Sequence, residues 1–257
     1  MSDGQAISSL VRFHLFESTV SIKEPTMDNK CEVPKGKEIS KEDVNDTPPT
    51  LDILKAAGAL EVLDSQNKKH TFKSLYSGRN ASQRVLVVFI RHFFCCSCVN
   101  YINFLTKTAT LEKLESINTS IVIIGHGDPG LIDMYRLDTG CEYSIYSDPS
   151  EKLYEALGMV KTWTEGPPSK YIPYSSLWVA YSSMSNAFRK LLAGYPVWNW
   201  GTTHQQGGEF LFEGEGEGEG EGEGEGEEKT VTWCHRMRAS RDHTDTDEIL
   251  KVLGIDK

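Results

Sequence analysis

The apolar run Val85-Leu86-Val87-Val88-Phe89-Ile90 passes without a turn signal into Arg91-His92-Phe93-Phe94-Cys95-Cys96-Ser97-Cys98. A short uninterrupted apolar run reads as a strand buried on both faces. Beyond it, apolar residues at 98, 101, 102, 105, 111 and 114 have the spacing of a helix with one buried face, running to about residue 117. A buried strand feeding straight into a helix that opens with Cys-x-x-Cys restricts the chain to α/β architectures with the cysteines at the carboxyl end of a sheet.

Residues three apart lie on one face of a helix, roughly 5–6 Å from each other, within the separation a disulfide tolerates. Cys95 and Cys98 meet that condition. Cys96 and Cys98 would point apart, and Cys95 and Cys96 are adjacent in sequence, so both are poor pairs. A thiol at a helix N-terminus near a cation ionises more readily, which makes Arg91 and His92 candidate supports for the Cys95–Cys98 pair. Alternation at the strand end puts one of those two on the sulfur side. Cys95 is expected to be the more exposed sulfur and Cys98 the more buried. A closed zinc or iron–sulfur site needs a second ligand pair. Cys31, Cys141 and Cys234 are too scattered to supply one, so neither metal nor cofactor is expected.

A second buried strand, Ile121-Val122-Ile123-Ile124, separated from the first by the cysteine helix, predicts a parallel βαβ pair. His126 follows it on the same carboxyl rim, where it is a candidate for proton transfer. Thr50 caps a short helix to Ala57. Residues 60–63 and 70–72 read as strands, Asp128-Pro129-Gly130 opens a helix to Thr139, Tyr143–Tyr146 is a strand, and Asp148-Pro149-Ser150 caps a helix to Leu157. Residues 174–192 show mixed helical spacing. Strands at 208–212 and 230–234 form a hairpin, and Thr244-Asp245-Thr246-Asp247 is a capping box for a last helix. Trp198 and Trp200 are read as packing residues, Cys234 as core, and His243 as an ordinary residue before the last helix.

The net charge of −10 says little about partners, because the tract Glu213–Glu228 is Glu-Gly seven times followed by Glu-Glu. Without its nine acids the remainder carries −1. No basic stripe points to nucleic acid, and no apolar run approaches the ~20 residues of a membrane span. Residues 1–48 are expected to be a disordered tail, rich in Lys, Glu, Asp and Pro in its second half. A folded domain at 49–257 is expected to carry a disordered Glu-Gly loop at 213–228. Met1-Ser2-Asp3-Gly4 does not begin like a signal peptide. Cysteine usage of this kind suits a reducing compartment, taken as the cytoplasm.

Four segments together resemble the thioredoxin-fold, AhpC/TSA-like proteins of the peroxiredoxin-like 2 group. They are Val87–Cys98, Ile124-Gly125-His126-Gly127, Tyr146-Ser147-Asp148-Pro149 through Leu157-Gly158-Met159, and Gln205-Gln206-Gly207-Gly208-Glu209-Phe210. The resemblance spans residues 51–253 and implies a peroxiredoxin-like mixed sheet with helices on both faces. It also implies a thiol-dependent antioxidant oxidoreductase acting on a peroxide, endoperoxide or disulfide. Peroxiredoxins carry Pro-x-x-x-Thr-x-x-Cys with the last cysteine attacking peroxide, and here the matching positions are Arg91, Cys95 and Cys98. The late arginine of that family is replaced, with Gly207 near its position. Two assignments follow: Cys95 attacks and Cys98 resolves, or Cys98 attacks and Cys95 resolves. Either requires an external thiol donor such as thioredoxin or glutathione. A non-catalytic thioredoxin-fold adaptor and a redox sensor are the alternatives to an enzyme.

Overall fold

An apolar strand without polar alternation has to be covered on both faces, and a computed structural model of the chain shows what covers this one. The structure describes residues 45–78, 81–167, 194, 195, 197–214 and 229–255. In chain order the elements are helix α1 (Leu51–Gly58), strands β1 (Glu61–Leu63) and β2 (Lys69–Thr71), helix α2 (Lys73–Tyr76) and strand β3 (Arg84–Phe89). Helices α3 (Cys96–Thr108) and α4 (Leu111–Ser116), strand β4 (Thr119–Gly125), helix α5 (Ile132–Thr139), strand β5 (Ser144–Ser147) and helix α6 (Lys152–Ala156) follow. The hairpin of β6 (Gly208–Gly214) and β7 (Lys229–Arg236) and a last helix, α7 (Thr246–Leu253), complete the described elements.

The strands form one mixed sheet in the order β2-β1-β5-β4-β3-β6-β7. β3, β4 and β5 run parallel, while β6 and β7 are antiparallel to their neighbours. The expected thioredoxin-like, peroxiredoxin-like mixed sheet is therefore present, with β3 at its inner core. Alternation along the strands divides the apolar side chains between two cores. Leu86, Val88, Ile121, Ile123 and Leu211 face α3, α5 and α7. Val85, Val87, Phe89, Val122, Ile124, Phe210 and Phe212 face α1 and α6. Each such side chain, wholly buried, contributes about 1.5–3 kcal/mol, which is why β3 needs no polar side.

Several boundaries differ from expectation for local reasons. The cysteine helix stops at Thr108, and Thr110 starts a separate α4 by accepting a hydrogen bond from the Lys113 N–H at 3.5 Å. α5 is preceded by a 3-10 turn at Pro129–Leu131, where Asp128 accepts from the Gly130 N–H. At the last helix the N-cap is Asp245, not Thr244, because the Thr244 hydroxyl is turned inward to Glu209. β6 runs two residues into the Glu-Gly tract, where Arg84 Nε holds the Glu213 carboxylate at 2.5 Å and the Thr232 hydroxyl donates to it. Residues 215–228 and 174–192, and the expected tail up to residue 44, lie outside the described residues. No described helix is long and apolar enough to cross a membrane.

The described chain begins already bound. The Arg236 guanidinium is buried and donates to the carbonyls of Leu157 (2.7 Å), Asn45 (2.8 Å) and Thr47 (3.0 Å), while its backbone N–H donates to the Asp46 carboxylate at 2.8 Å. Arg238 adds an ion pair with Asp46 at 2.7 Å. Residues 45–47, expected in the tail, are thus strapped to β7 and to the end of α6. Buried acceptors left without donors cost about 1–3 kcal/mol each. Arg236→Met, which removes the donors together with the cation over the Phe210 ring, is expected to lower unfolding stability by about 3 kcal/mol in urea titration. Hydrogen exchange should show early release of residues 45–50, and a midpoint unchanged from wild type would rule the strap out as a stabilising element.

Candidate functional site

α3 begins where the sheet ends, and its N-cap is Cys95, in extended conformation, whose sulfur accepts from the Cys98 N–H at 3.3 Å. The Cys98 thiol donates to Cys95 with the two sulfurs 2.7 Å apart. A disulfide is about 2.03–2.05 Å long, so the pair is in contact and unbonded, and both are free cysteines. Both sulfurs are buried, Cys95 at 4% exposure and Cys98 at 0%, so the expected difference in exposure is small.

Their electrostatics differ far more. Burial alone would raise the Cys95 pKa, but the Cys98 hydrogen bond, the Arg91 guanidinium, the Cys98 N–H and His243 together bring it down to about 5. Arg91 Nη1 lies 3.7 Å from Cys95 Sγ. Burial pushes the Cys98 thiol well above its ordinary range, and the hydrogen bond to Cys95 and the Cys95 charge push it further, against Arg91. One sulfur is thus disposed to be a thiolate and its neighbour to keep a proton.

Arg91 is itself held from the other side. Its Nε donates to the Gln205 carbonyl at 3.2 Å, Nη2 donates to the Thr203 carbonyl, and its backbone N–H points at Cys98 Sγ at 3.4 Å. The loop that supplies these carbonyls can pass this close because residue 207 is glycine: a Cβ there would overlap the Phe89 carbonyl at the end of β3.

Beneath Cys98 lies a group that the sequence reading missed. Glu209 and Leu211 project to the α3 side of β6, so a carboxylate occupies a core position with no exposure at all. It accepts from three donors: His243 Nδ1 at 2.6 Å, His235 Nδ1 at 3.0 Å and the Thr244 hydroxyl at 3.0 Å. Burial opposes its charge, but the two histidines hold the Glu209 pKa down to about 2. The other nitrogen of His243, Nε2, is 3.3 Å from Cys98 Sγ, and the ring stacks on Tyr101 at 4.3 Å with an interplanar angle of 5°. A lone Glu in the otherwise apolar run Glu209-Phe210-Leu211-Phe212 was the available signal, since an acid on an inner strand requires partners.

The remaining candidates lie at the rim. His92 is buried against Trp200 and its pKa falls to about 3, through burial first and then the Arg91 and His126 charges. His126 is buried; its pKa is lowered by burial, and its Nε2 accepts the Thr202 N–H. An accepting Nε2 carries no proton, so its 3.1 Å approach to Glu151 is not a charged pair. Among the described residues neither ring hydrogen-bonds to a sulfur, whereas Arg91 reaches both. Trp200 packs on Phe94 and His92, but Trp198 is 81% exposed. Cys141 is buried in the same core as the pair, whereas Cys234 belongs to the core on the other face of the sheet and donates to the Asp46 carbonyl.

Comparison with known proteins gives a consistent result. Residues 105–219 match the family model described as AhpC/TSA antioxidant enzyme, a stretch that starts beyond both cysteines. Human Peroxiredoxin-like 2C is 27% identical over 201 residues, covering 78% of this chain and 80% of that protein. The protein of the same name from Takifugu rubripes is 24% identical over 196 residues, covering 76% and 78%. Among solved structures, peroxidoxin BcpB from Mycobacterium tuberculosis superposes with a TM-score of 0.46 at 13% identity, covering 77% of this chain and 93% of that one. Peroxiredoxin Q from Xanthomonas campestris gives 0.46 at 13%, covering 82% and 97%.

Two measurements check the electrostatics. Ultraviolet thiolate absorbance of the reduced protein should appear with a midpoint near pH 5, vanish in Cys95→Ser and persist in Cys98→Ala at a higher pH, since the side chain at 98 then no longer donates to Cys95. A midpoint in the ordinary thiol range would refute the assignment. For Glu209 the folded pKa of about 2 lies below the unfolded value of about 4.3. Its contribution to stability is therefore complete above the unfolded value and lost as pH falls through the folded one. Glu209→Gln should flatten the acid limb of the stability profile between those two values.

Proposed function

We propose that the chain, similar as it is to the AhpC/TSA antioxidant enzyme family model and to Peroxiredoxin-like 2C, is a two-cysteine oxidoreductase in which Cys95 attacks and Cys98 resolves. The carrying observation is the asymmetry of a pair whose sulfurs are 2.7 Å apart. Cys95 collects the Cys98 N–H, the Cys98 S–H and the Arg91 guanidinium, all of which favour its anion. Cys98 sits deeper and is protonated, as a resolving thiol is before its turn.

With a peroxide ROOH, the Cys95 thiolate forms a bond to one oxygen, the O–O bond breaks, and RO⁻ leaves as ROH after taking a proton. The sulfenic acid on Cys95 then condenses with Cys98, forming S–S and releasing water. With a disulfide RSSR, Cys95 forms a mixed disulfide and expels one thiol, and Cys98 expels the second. In both cases the substrate gains two electrons and the dithiol becomes a disulfide. An external thiol donor, thioredoxin or two glutathiones, returns those electrons. Peroxides, endoperoxides and disulfides all fit this scheme. A reducing compartment, the cytoplasm, is where such a cycle would be sustained.

Arg91 stands where the peroxiredoxin motif has proline and Cys95 where it has threonine. The motif's attacking cysteine thus aligns with Cys98 and its threonine with Cys95, so alignment by itself favours Cys98, and the assignment of attack to Cys95 rests on the donors and the cation around that sulfur. Mass measurement after near-stoichiometric peroxide should show wild type two hydrogens lighter, Cys98→Ser retaining a sulfenic acid on Cys95, and Cys95→Ser unreacted. A persistent sulfenic acid on Cys98 in Cys95→Ser, with Cys98→Ser inert, would reverse the two roles. Turnover of peroxide or disulfide with a thioredoxin or glutathione system distinguishes an enzyme from a sensor or adaptor, which would oxidise once and stop.

A further inference from the structure

We propose that His243 is the base that deprotonates Cys98 in the resolving step, with Glu209 as its positioning residue; the inference rests on the two-cysteine reading above. A thiol shut away from water is a poor nucleophile until it loses its proton, and Cys98 has no exposure through which solvent could take it. His243 Nε2 stands 3.3 Å from its sulfur.

The tautomer follows from the partners. A carboxylate is acceptor-only, so His243 Nδ1, 2.6 Å from Glu209 Oε1, must be the protonated nitrogen. In the neutral ring Nε2 then offers its lone pair toward Cys98. The ring plane is fixed by the parallel stack on Tyr101, one turn along α3 from Cys98. Glu209 is fixed in turn by His235 and Thr244. A nucleophile, a ring with the base nitrogen toward it and a buried carboxylate on the far nitrogen make up the arrangement that activates hydroxyl and thiol nucleophiles on unrelated folds. Here it serves the second sulfur and not the first.

The step balances as follows. The proton on Cys98 moves to His243 Nε2, and the imidazolium so formed is held by Glu209. The Cys98 thiolate attacks Cys95 Sγ in the mixed disulfide Cys95–S–S–R, the new S–S bond forms, and the bond between Cys95 and the substrate sulfur breaks. The leaving thiolate takes the proton from His243 and departs as RSH. The oxidant is an organic disulfide, which gains two electrons as the protein's dithiol loses them. Run backwards, the same ring returns a proton to Cys98 when the protein is reduced. The charged and titratable groups around the sulfur are Cys95 at the N-cap and Tyr101 of α3, Arg91 before it, Tyr135 of α5, Tyr154 of α6, Glu209 and His235 of the hairpin, and His243 itself.

An aromatic disulfide that releases one coloured thiolate per step, dithiobis-nitrobenzoate, separates attack from resolution in a rapid-mixing experiment. The first phase reports Cys95 and the second reports Cys98. General-base catalysis is worth about 10²–10⁴-fold, so His243→Asn should lower the ratio of second-phase to first-phase rate by about a hundredfold. The residual second phase should rise steadily with pH as hydroxide replaces the base. Glu209→Gln should lower the ratio by about tenfold in the wild-type background and leave it unchanged in His243→Asn, because its effect passes through the ring. A ratio within threefold of wild type in both His243→Asn and His243→Gln, or a Glu209→Gln effect that persists without His243, overturns the proposal. If wild type shows no first phase, or if its second phase survives Cys98→Ser, the two-cysteine reading fails instead and the relay falls with it.

Discussion

A carboxylate removed from water is the constraint around which this molecule is organised. An isolated charge at the Glu209 position would be prohibitively costly, so the chain brings three donors to it from two places. His235 comes from β7, directly opposite Glu209 in the hairpin register. His243 and Thr244 come from the segment before α7. Removing one partner of such a cluster leaves an uncompensated buried charge, a large penalty even where the whole cluster adds little net stability. The path of the chain after β7 is tied by this requirement: it must return beneath α3, and α7 follows into the same core with Ile249, Leu250 and Leu253.

That tie also determines what the cysteines experience. By drawing His243 under α3, Glu209 puts a ring nitrogen against Cys98, while Arg91 reaches across the mouth to Cys95. The two sulfurs are close enough to share one proton but stand in different fields. Cys95 faces a guanidinium and the free N–H groups of a helix start, which favour an anion. Cys98 faces its neighbour's charge and the Nε2 of His243. The asymmetry therefore originates in two separate pieces of chain, the β3–α3 junction and the strand-to-helix return after β7.

The junction was legible in the sequence and the return was not. Val85–Ile90 followed by Cys-x-x-Cys is a local pattern, and local patterns also gave α1 and the terminal hairpin. The break at Thr110 went unseen because helical spacing continues across it, and nothing in periodicity distinguishes one long helix from two short ones. The Glu209–His243 contact joins residues on either side of the Glu-Gly tract, and pattern reading assigns a lone histidine before a capping box no partner. The sign of it was a misfit: an acid in the run Gly-Glu-Phe-Leu-Phe on a strand with neighbours on both sides. Such breaks in consistency mark positions where another requirement overrides packing.

The same contrast explains the rim histidines. Carboxyl-rim position was a sound reason to consider His92 and His126, since ligands gather there in parallel sheets, but position on a rim does not fix the direction of a ring. Burial holds His92 neutral against Trp200, and the Thr202 N–H occupies Nε2 of His126. Their part is to hold the loop that delivers the Thr203 and Gln205 carbonyls to Arg91. Arg91 in turn is oriented by those carbonyls and cannot swing away from Cys95 without leaving them unpaired. Cys95 is thus reached by a backbone-held cation, and Cys98 by a carboxylate-held ring. The peroxiredoxin motif places its hydroxyl and its single thiolate at these same two positions. In this chain both positions carry sulfur, and the two sulfurs are held by different partners.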